Sequence, residues 1–398
     1  MSRKTTVTIV VSVIVLAVIA ALIYFFFFRT PEAELPIEGE FPETEEGGFE
    51  EETEEPVALP SDTRGGPILR RLTLTPIAGA VVGGRDESVR VRYLDRATGN
   101  TYEIAATGGV VRRLTNTTIP KIYEALWRKD GASVLARYLG EDNETIQTYS
   151  ATLKPKAEGE GTLEGTFLPG NIREVALSPD GKELIYMREE GGRGVGVRAA
   201  FNGSGKIQMF ASPLREWIPL WTTSSRIAFL TKPSAISDGM LVSVPSGGGE
   251  MEPLIRDVAG LTALPDGNLS RILFSESSGG GIILQMLDRK TNKASALQHK
   301  TLPEKCVWAK SNEDIYCGVP LTLPGGSYPD AWYQGVISFT DELWQIDAET
   351  GVGERILDIS SEGGDSIDLV HPQLSPDEKF LIFTNKNDGT LWSVEFED

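Results

Sequence analysis

Two distant stretches of this chain read almost alike, and that likeness constrains the fold more than any other feature. One is Val175-Ala-Leu-Ser-Pro-Asp-Gly-Lys-Glu-Leu-Ile-Tyr; the other is Pro372-Gln-Leu-Ser-Pro-Asp-Glu-Lys-Phe-Leu-Ile-Phe. Each is an apolar strand, a tight turn and a second apolar strand. Proline presets φ for the turn, and Asp and Gly tolerate its later positions. The cassette recurs in decayed form. Trp221 stands 43 residues after Ser178, Asp266 stands 86 after Asp180, and Trp308 stands 87 after Trp221. Earlier copies are EALWRKDGASVLARY at 124–138 and LTLTPIAGAVVG at 72–83, which makes seven. Strand-rich units repeating every 40–45 residues or so, with about four strands each, predict an all-β fold, a β-propeller of seven four-stranded blades.

A propeller must close. GPILRRLT (66–73) matches GVVRRLT (109–115), an outermost strand, while the last unit runs out after its third strand. Residues 67–73 are therefore expected to supply the missing fourth strand, joining first and last blades and leaving no open seam. The propeller spans residues 67–398. Ahead of it lie six residues expected in the cytoplasm, then an uncharged apolar run at 7–28. As a helix that run reaches roughly 33 Å, enough to cross a hydrocarbon core, and it is longer than a signal-peptide core. Residues 31–66 hold thirteen acids and one base, which locates much of the net charge of −19. So acidic a Pro/Glu-rich tract is expected to be a disordered linker. Arg3 and Lys4 precede the apolar run, so the positive-inside rule leaves everything after it outside. No basic footprint for nucleic acid is present.

The Ser-Pro-Asp-Gly-Lys cassette, best kept at 178–182 and 375–379, resembles the repeats of TolB-like propellers, relatives of WD-repeat propellers. Anchor, acidic stalk and propeller together resemble membrane-anchored bacterial envelope proteins. The extra domain that TolB uses for partner binding has no counterpart in residues 31–66, so its partners are not carried over. What the resemblance implies is an extracytoplasmic propeller tethered to the cell membrane.

Catalytic motifs are missing. His299 and His371 are the two histidines, in different units, and there is no zinc-protease helix motif, nucleophile elbow, phosphate loop or EF-hand. No metal site and no cofactor are expected, and the chain is not read as an enzyme. One further signal lies between Trp308 and Ser375, 67 residues apart where about 43 is usual. Some 23 extra residues fall between the second and third strands of that unit, on the propeller face that also carries the inter-blade loops. They contain Tyr328, Asp330, Trp332 and Tyr333, candidate binding residues because Tyr and Trp offer rigid contact area with polar handles. The competing reading is that these aromatics plug the funnel. Cys306 and Cys317 flank the hairpin below the insertion and form a candidate disulfide, permitted outside the cytoplasm. Tryptophans recurring at one repeat position, Trp127, Trp221 and Trp308, are expected to pack between blades. The expected function is a scaffold or binding module of the cell envelope, its partner another envelope protein or a cell-wall polymer. The alternative is a hydrolase or lyase using funnel carboxylates, whose mark would be facing acids with raised pKa.

Overall fold

The structure, a computed structural model, describes residues 37–40, 66–157, 159–359 and 366–396. The apolar run at 7–28 and most of the acidic tract lie outside them. No helix among the described residues is long and apolar enough to cross a membrane.

Seven antiparallel sheets, each with four strands from the propeller region, form the blades. Their innermost strands are Ile77–Gly83, Ile122–Trp127, Glu174–Leu177, Trp217–Leu220, Thr262–Pro265, Cys306–Trp308 and Leu369–Leu374, for blades one to seven in turn. Six of the seven cassette copies coincide with the first two strands of a blade; the copy at 72–83 covers only the first strand of blade one, Ile77–Gly83, whose second strand is Arg90–Asp95. The ring closes as expected: Ile68–Arg71 pairs with Leu391–Glu395, with Leu69 opposite Val394. Ile37–Glu40, within the acidic tract, adds a fifth strand beyond Thr162–Phe167 at the outer edge of blade two.

Second strands read as unbroken apolar runs because both their faces are covered. In Glu183–Glu190, Leu184 and Tyr186 join the core shared with blade two, whereas Ile185 and Met187 join the core shared with blade four. Period-two alternation thus sends successive side chains into the two flanking interfaces. The recurrent tryptophans staple these interfaces. Trp127 Nε1 donates to Gly79 O at 3.2 Å and Trp308 Nε1 to Leu264 O at 3.1 Å, each on the innermost strand of the preceding blade.

The turn between first and second strands shows why the cassette repeats. Ser178 Oγ accepts from Glu183 N at 3.0 Å and donates to Asp180 Oδ1 at 2.8 Å, and that carboxylate accepts from Lys182 N at 3.0 Å. Ser375, Asp377 and Lys379 repeat the set in blade seven. Blade five departs from the sequence alignment. The backbone bond from Asp266 N to Arg271 O, at 3.0 Å, matches that of Ser178 N to Glu183 O, so Asp266 stands in the serine position. Its two oxygens reach three backbone amides of its own turn, those of Asn268, Ser270 and Arg271.

Candidate functional site

The innermost strands surround a central channel of about 540 Å³, walled largely by apolar side chains and strand backbone. Its polar lining gathers on blades two and seven, with Glu124, His371 and Gln373. His371 stands at an irregularity in its strand, where pairing shifts between Val370 and Gln373, and its φ is +52°. Such a bulge re-aims a side chain, here into the channel. Surrounded by channel walls, the imidazole has its pKa lowered by burial, with Glu124 opposing that shift.

The mouth on the inter-blade-loop face carries a charged cluster. Arg137, on the second strand of blade two and almost fully buried, pairs with Glu124. Two carbonyls of the blade-two to blade-three connection hold the same guanidinium, Ile172 O at 2.9 Å and Arg173 O at 2.7 Å. Glu174, the first residue of blade three's innermost strand, has its pKa pushed up to about 7. Burial is the main cause; Arg137 opposes it, and Glu124 and Glu216 add to it. Lys232 also faces Glu174 and pairs with Glu216 at 3.2 Å. The channel mouth therefore has a carboxyl group that exchanges its proton near neutrality, next to a second carboxylate held by arginine.

Over this mouth reaches the blade-six insertion, between Asp314–Pro320 and Asp341–Asp347. Leu321 N to Thr340 O, 2.9 Å, closes its base, and Gly326 N to Gly280 O, 3.0 Å, ties it to blade five. Asp330 Oδ2 accepts from Ala235 N of blade four at 2.6 Å. Gly260, at φ +62°, lies so close beneath that a Cβ there would sit 2.6 Å from Tyr328 O. Tyr328 and Trp332 are interior, 1% and 3% exposed, packed with Ile282, Leu302, Phe339 and Val370. Trp332 Nε1 donates to Asp368 Oδ2 at 2.8 Å, and Phe339 N donates to the same oxygen at 3.0 Å. Asp368 in turn pairs with Lys305, whose Nζ also lies 2.7 Å from Asp341 Oδ2. All three charged residues are fully buried. Burial, reinforced by Asp368 and opposed by Lys305, pushes Asp341 up to about 6.

The four aromatic-loop residues thus come together, but in different roles. Tyr328 and Trp332 fill the insertion's own core and Asp330 fastens it to blade four. Tyr333 stays 43% exposed and reaches the inner rim, where its hydroxyl bonds the Glu304 carboxyl. Cys306 and Cys317 face each other across the first two strands of blade six and are joined as a disulfide.

Sequence reasoning missed Glu124, Arg137, Glu174 and His371 as a group, since they come from three blades and share no local spacing. The one available signal was the His-Pro pair at 371–372, which interrupts an otherwise regular apolar strand.

No protein-family model matches the chain, and no curated protein matches it. Among solved structures it is similar to an oligogalacturonate lyase in complex with manganese, at 12% identity and TM-score 0.55, over 92% of this chain and 99% of that one. An oligogalacturonate lyase from Vibrio parahaemolyticus matches at 12% identity and TM-score 0.54, over 84% of this chain and 94% of that one. The β-propeller domain of the Trilobed protease from Pyrococcus furiosus matches at 12% identity and TM-score 0.49, over 80% and 95%. Likeness at such identity shows the fold. It also corrects the expectation that this chain is not an enzyme. Two solved structures matched over nearly their whole length are lyases by name, so the fold on its own does not argue against an enzyme. The manganese of the first structure has no counterpart donor set here: among the described residues, no group of three or more His, Cys, Asp or Glu is placed to hold a metal.

Proposed function

We propose that this chain is an enzyme of the cell envelope that cleaves an acidic oligosaccharide at the mouth of its propeller channel, by elimination. One observation carries the proposal: Glu174, poised at about 7, stands beside the Glu124–Arg137 pair where the channel opens. A general base works best when its pKa lies near the working pH. As carboxylate, Glu174 takes the proton from the carbon next to the sugar's carboxylate. Arg173 and Lys232, both substantially exposed on the same rim, offer positive charge to an acidic sugar. The apolar run at 7–28 would hold the enzyme at the membrane with the acidic tract setting its reach. The two lyases above suggest oligogalacturonates as first substrates.

A second reading, a module that binds another envelope protein or a cell-wall polymer, is favoured by apolar side chains left open on this face. Ile236 of blade four and Val336 of the insertion are 93% and 74% exposed. One assay separates the two. The full-length chain is offered oligogalacturonates and neutral cell-wall oligosaccharides, following ultraviolet absorbance of a new conjugated double bond alongside reducing ends. Elimination gives both signals, hydrolysis reducing ends alone. The expected result is turnover that rises with pH through about 7 and is lost in Glu174→Gln. No turnover of any glycan leaves the binding reading in its place.

A further inference from the structure

Three tryptophans stand at one position of the repeat, and one of them breaks the rule that the other two obey. Trp127 and Trp308 each give the indole N–H to a carbonyl on the innermost strand of the preceding blade. Trp221 is set as deeply, 7% exposed in the core shared by blades three and four. Yet its Nε1 has no hydrogen-bond partner, and neither has the buried Oγ1 of the next residue, Thr222. An indole N–H can only donate, and a buried donor is rarely kept without an acceptor because the unmade bond is costly. Both residues line the channel. They follow the end of blade four's innermost strand, Trp217–Leu220, and so lie at the turn-face end of the channel. Lys129, exposed in the corresponding turn of blade two, lines the same end. Among the described residues of the lining it is the one lysine or arginine.

We infer that the turn-face end of the channel is a separate binding site, for a small carboxylic acid with an apolar body. It does not depend on the enzymatic reading above. The channel's volume of about 540 Å³ is that of a small-molecule pocket, and at this end its walls include Leu126, Leu177, Leu220, Leu264 and Pro265. Such walls accept a hydrocarbon or aromatic body and offer a sugar's hydroxyls few partners. The indole N–H and the threonine hydroxyl are open to acceptor oxygens. Lys129 supplies the charge that favours a carboxylate's oxygens over an amide's. The channel also sets the ligand's direction. Glu124 and Lys129 lie toward opposite ends of one strand, Ile122–Trp127, so an acid group turns away from the first and toward the second. The other polar side chains are already committed, Glu124 to Arg137 and Gln373 Nε2 to Ala80 O at 2.9 Å. A lone water is the competing occupant. With Trp221 and Thr222 as side-chain partners and apolar walls around them, it would be at the low end of what a buried water keeps.

The test is nitrogen–proton NMR of the full-length chain with its seven tryptophans labelled by ¹⁵N, the Trp221 indole signal being assigned from Trp221→Phe. Three probes are titrated: 3-phenylpropionate, the matching neutral amide, and galacturonate as an acid with a polar body. Phenylpropionate is expected to move the Trp221 signal downfield and to saturate, with the Trp127 and Trp308 indole signals unmoved. The amide should bind about tenfold more weakly, and Lys129→Met, on an exposed side chain, should weaken the acid by a similar factor while leaving the amide unchanged. Thr222→Val, close in shape, should weaken both. A Trp221 signal that no probe moves overturns the inference and leaves water as the occupant. Equal binding of acid and amide overturns it too, as does galacturonate binding as tightly as phenylpropionate. The enzymatic reading fails separately. Glu174→Gln should leave phenylpropionate binding in place, and binding with no glycan turned over breaks that reading alone.

Discussion

The two faces of this propeller are built by opposite rules. On the turn face, one device is reused: Ser178 and Asp180 organise the blade-three turn, Ser375 and Asp377 that of blade seven, and Asp266 serves blade five in their place. Each set bonds mainly its own few residues, with Asp377 also accepting from Asp86 N of blade one at 2.6 Å. On the mouth face nothing repeats. A lysine and two aspartates with no exposed surface join blades six and seven to the insertion, and a carboxyl raised to about 7 sits at the channel rim. Burying such charges is expensive even when they are paired, and a well-packed apolar cluster would often serve stability as well. Repetition therefore marks what the ring needs in order to form. The buried, unrepeated charges mark a face shaped for another purpose, with the lid and the rim carboxyl built from the same region.

The contrast is tested most severely at Lys305. Lys305→Met keeps the length of the side chain but leaves Asp341 and Asp368 buried together without a counter-charge. Removing one partner of a buried pair costs about 3–5 kcal/mol, read here by denaturant unfolding at pH 7. The loss should shrink in mild acid. Asp341 is raised to about 6 from an ordinary 3.8, so the folded state holds its proton more tightly than the unfolded chain. That contribution is fully present below about pH 4 and disappears as pH rises through about 6. A loss under about 1 kcal/mol at pH 7 would mean that the cluster does not fasten this face. The turn face predicts less. Ser178→Ala removes the hydroxyl's three hydrogen bonds within one turn and should cost about 1 kcal/mol, with turnover unchanged. An altered turnover would show that the faces are coupled and break the comparison.

The same contrast explains what could be read from the sequence. The blades were legible because six of the seven cassettes encode two strands and a turn within about a dozen residues, and the closing strand Ile68–Arg71 because 66–73 matches 109–115. The insertion was legible as extra length, but the fate of its aromatics was not. Trp332 is interior because Asp368, 36 residues away, takes its N–H, and because Lys305 brings the matching charge from another strand. The mouth was less legible still. Glu124, Glu174 and His371 each begin or interrupt an innermost strand, and only the closed ring brings those strand ends together. Asp266 shows the limit from the other side: spacing aligned it with Asp180, while its hydrogen bonds give it the work of Ser178.

The smallest predicted effect is also the cleanest probe of the mouth. With two histidines in the chain, proton NMR resolves both imidazoles. Burial lowers the pKa of each, but His371 alone has an opposing charge, Glu124, holding it up. Glu124→Gln removes that charge and leaves Arg137 positive and unpaired nearby, so the His371 midpoint should move further down while His299 stays in place. Stability carries the same sign. A depressed imidazole favours the folded state above the ordinary histidine pKa, and that contribution fades as pH falls through its lowered value. Ser178→Ala, on the other face, should leave both midpoints unmoved. If Glu124→Gln shifts His371 upward or not at all, the two side chains do not share the channel in solution, and Glu124 must be withdrawn from the group around Glu174.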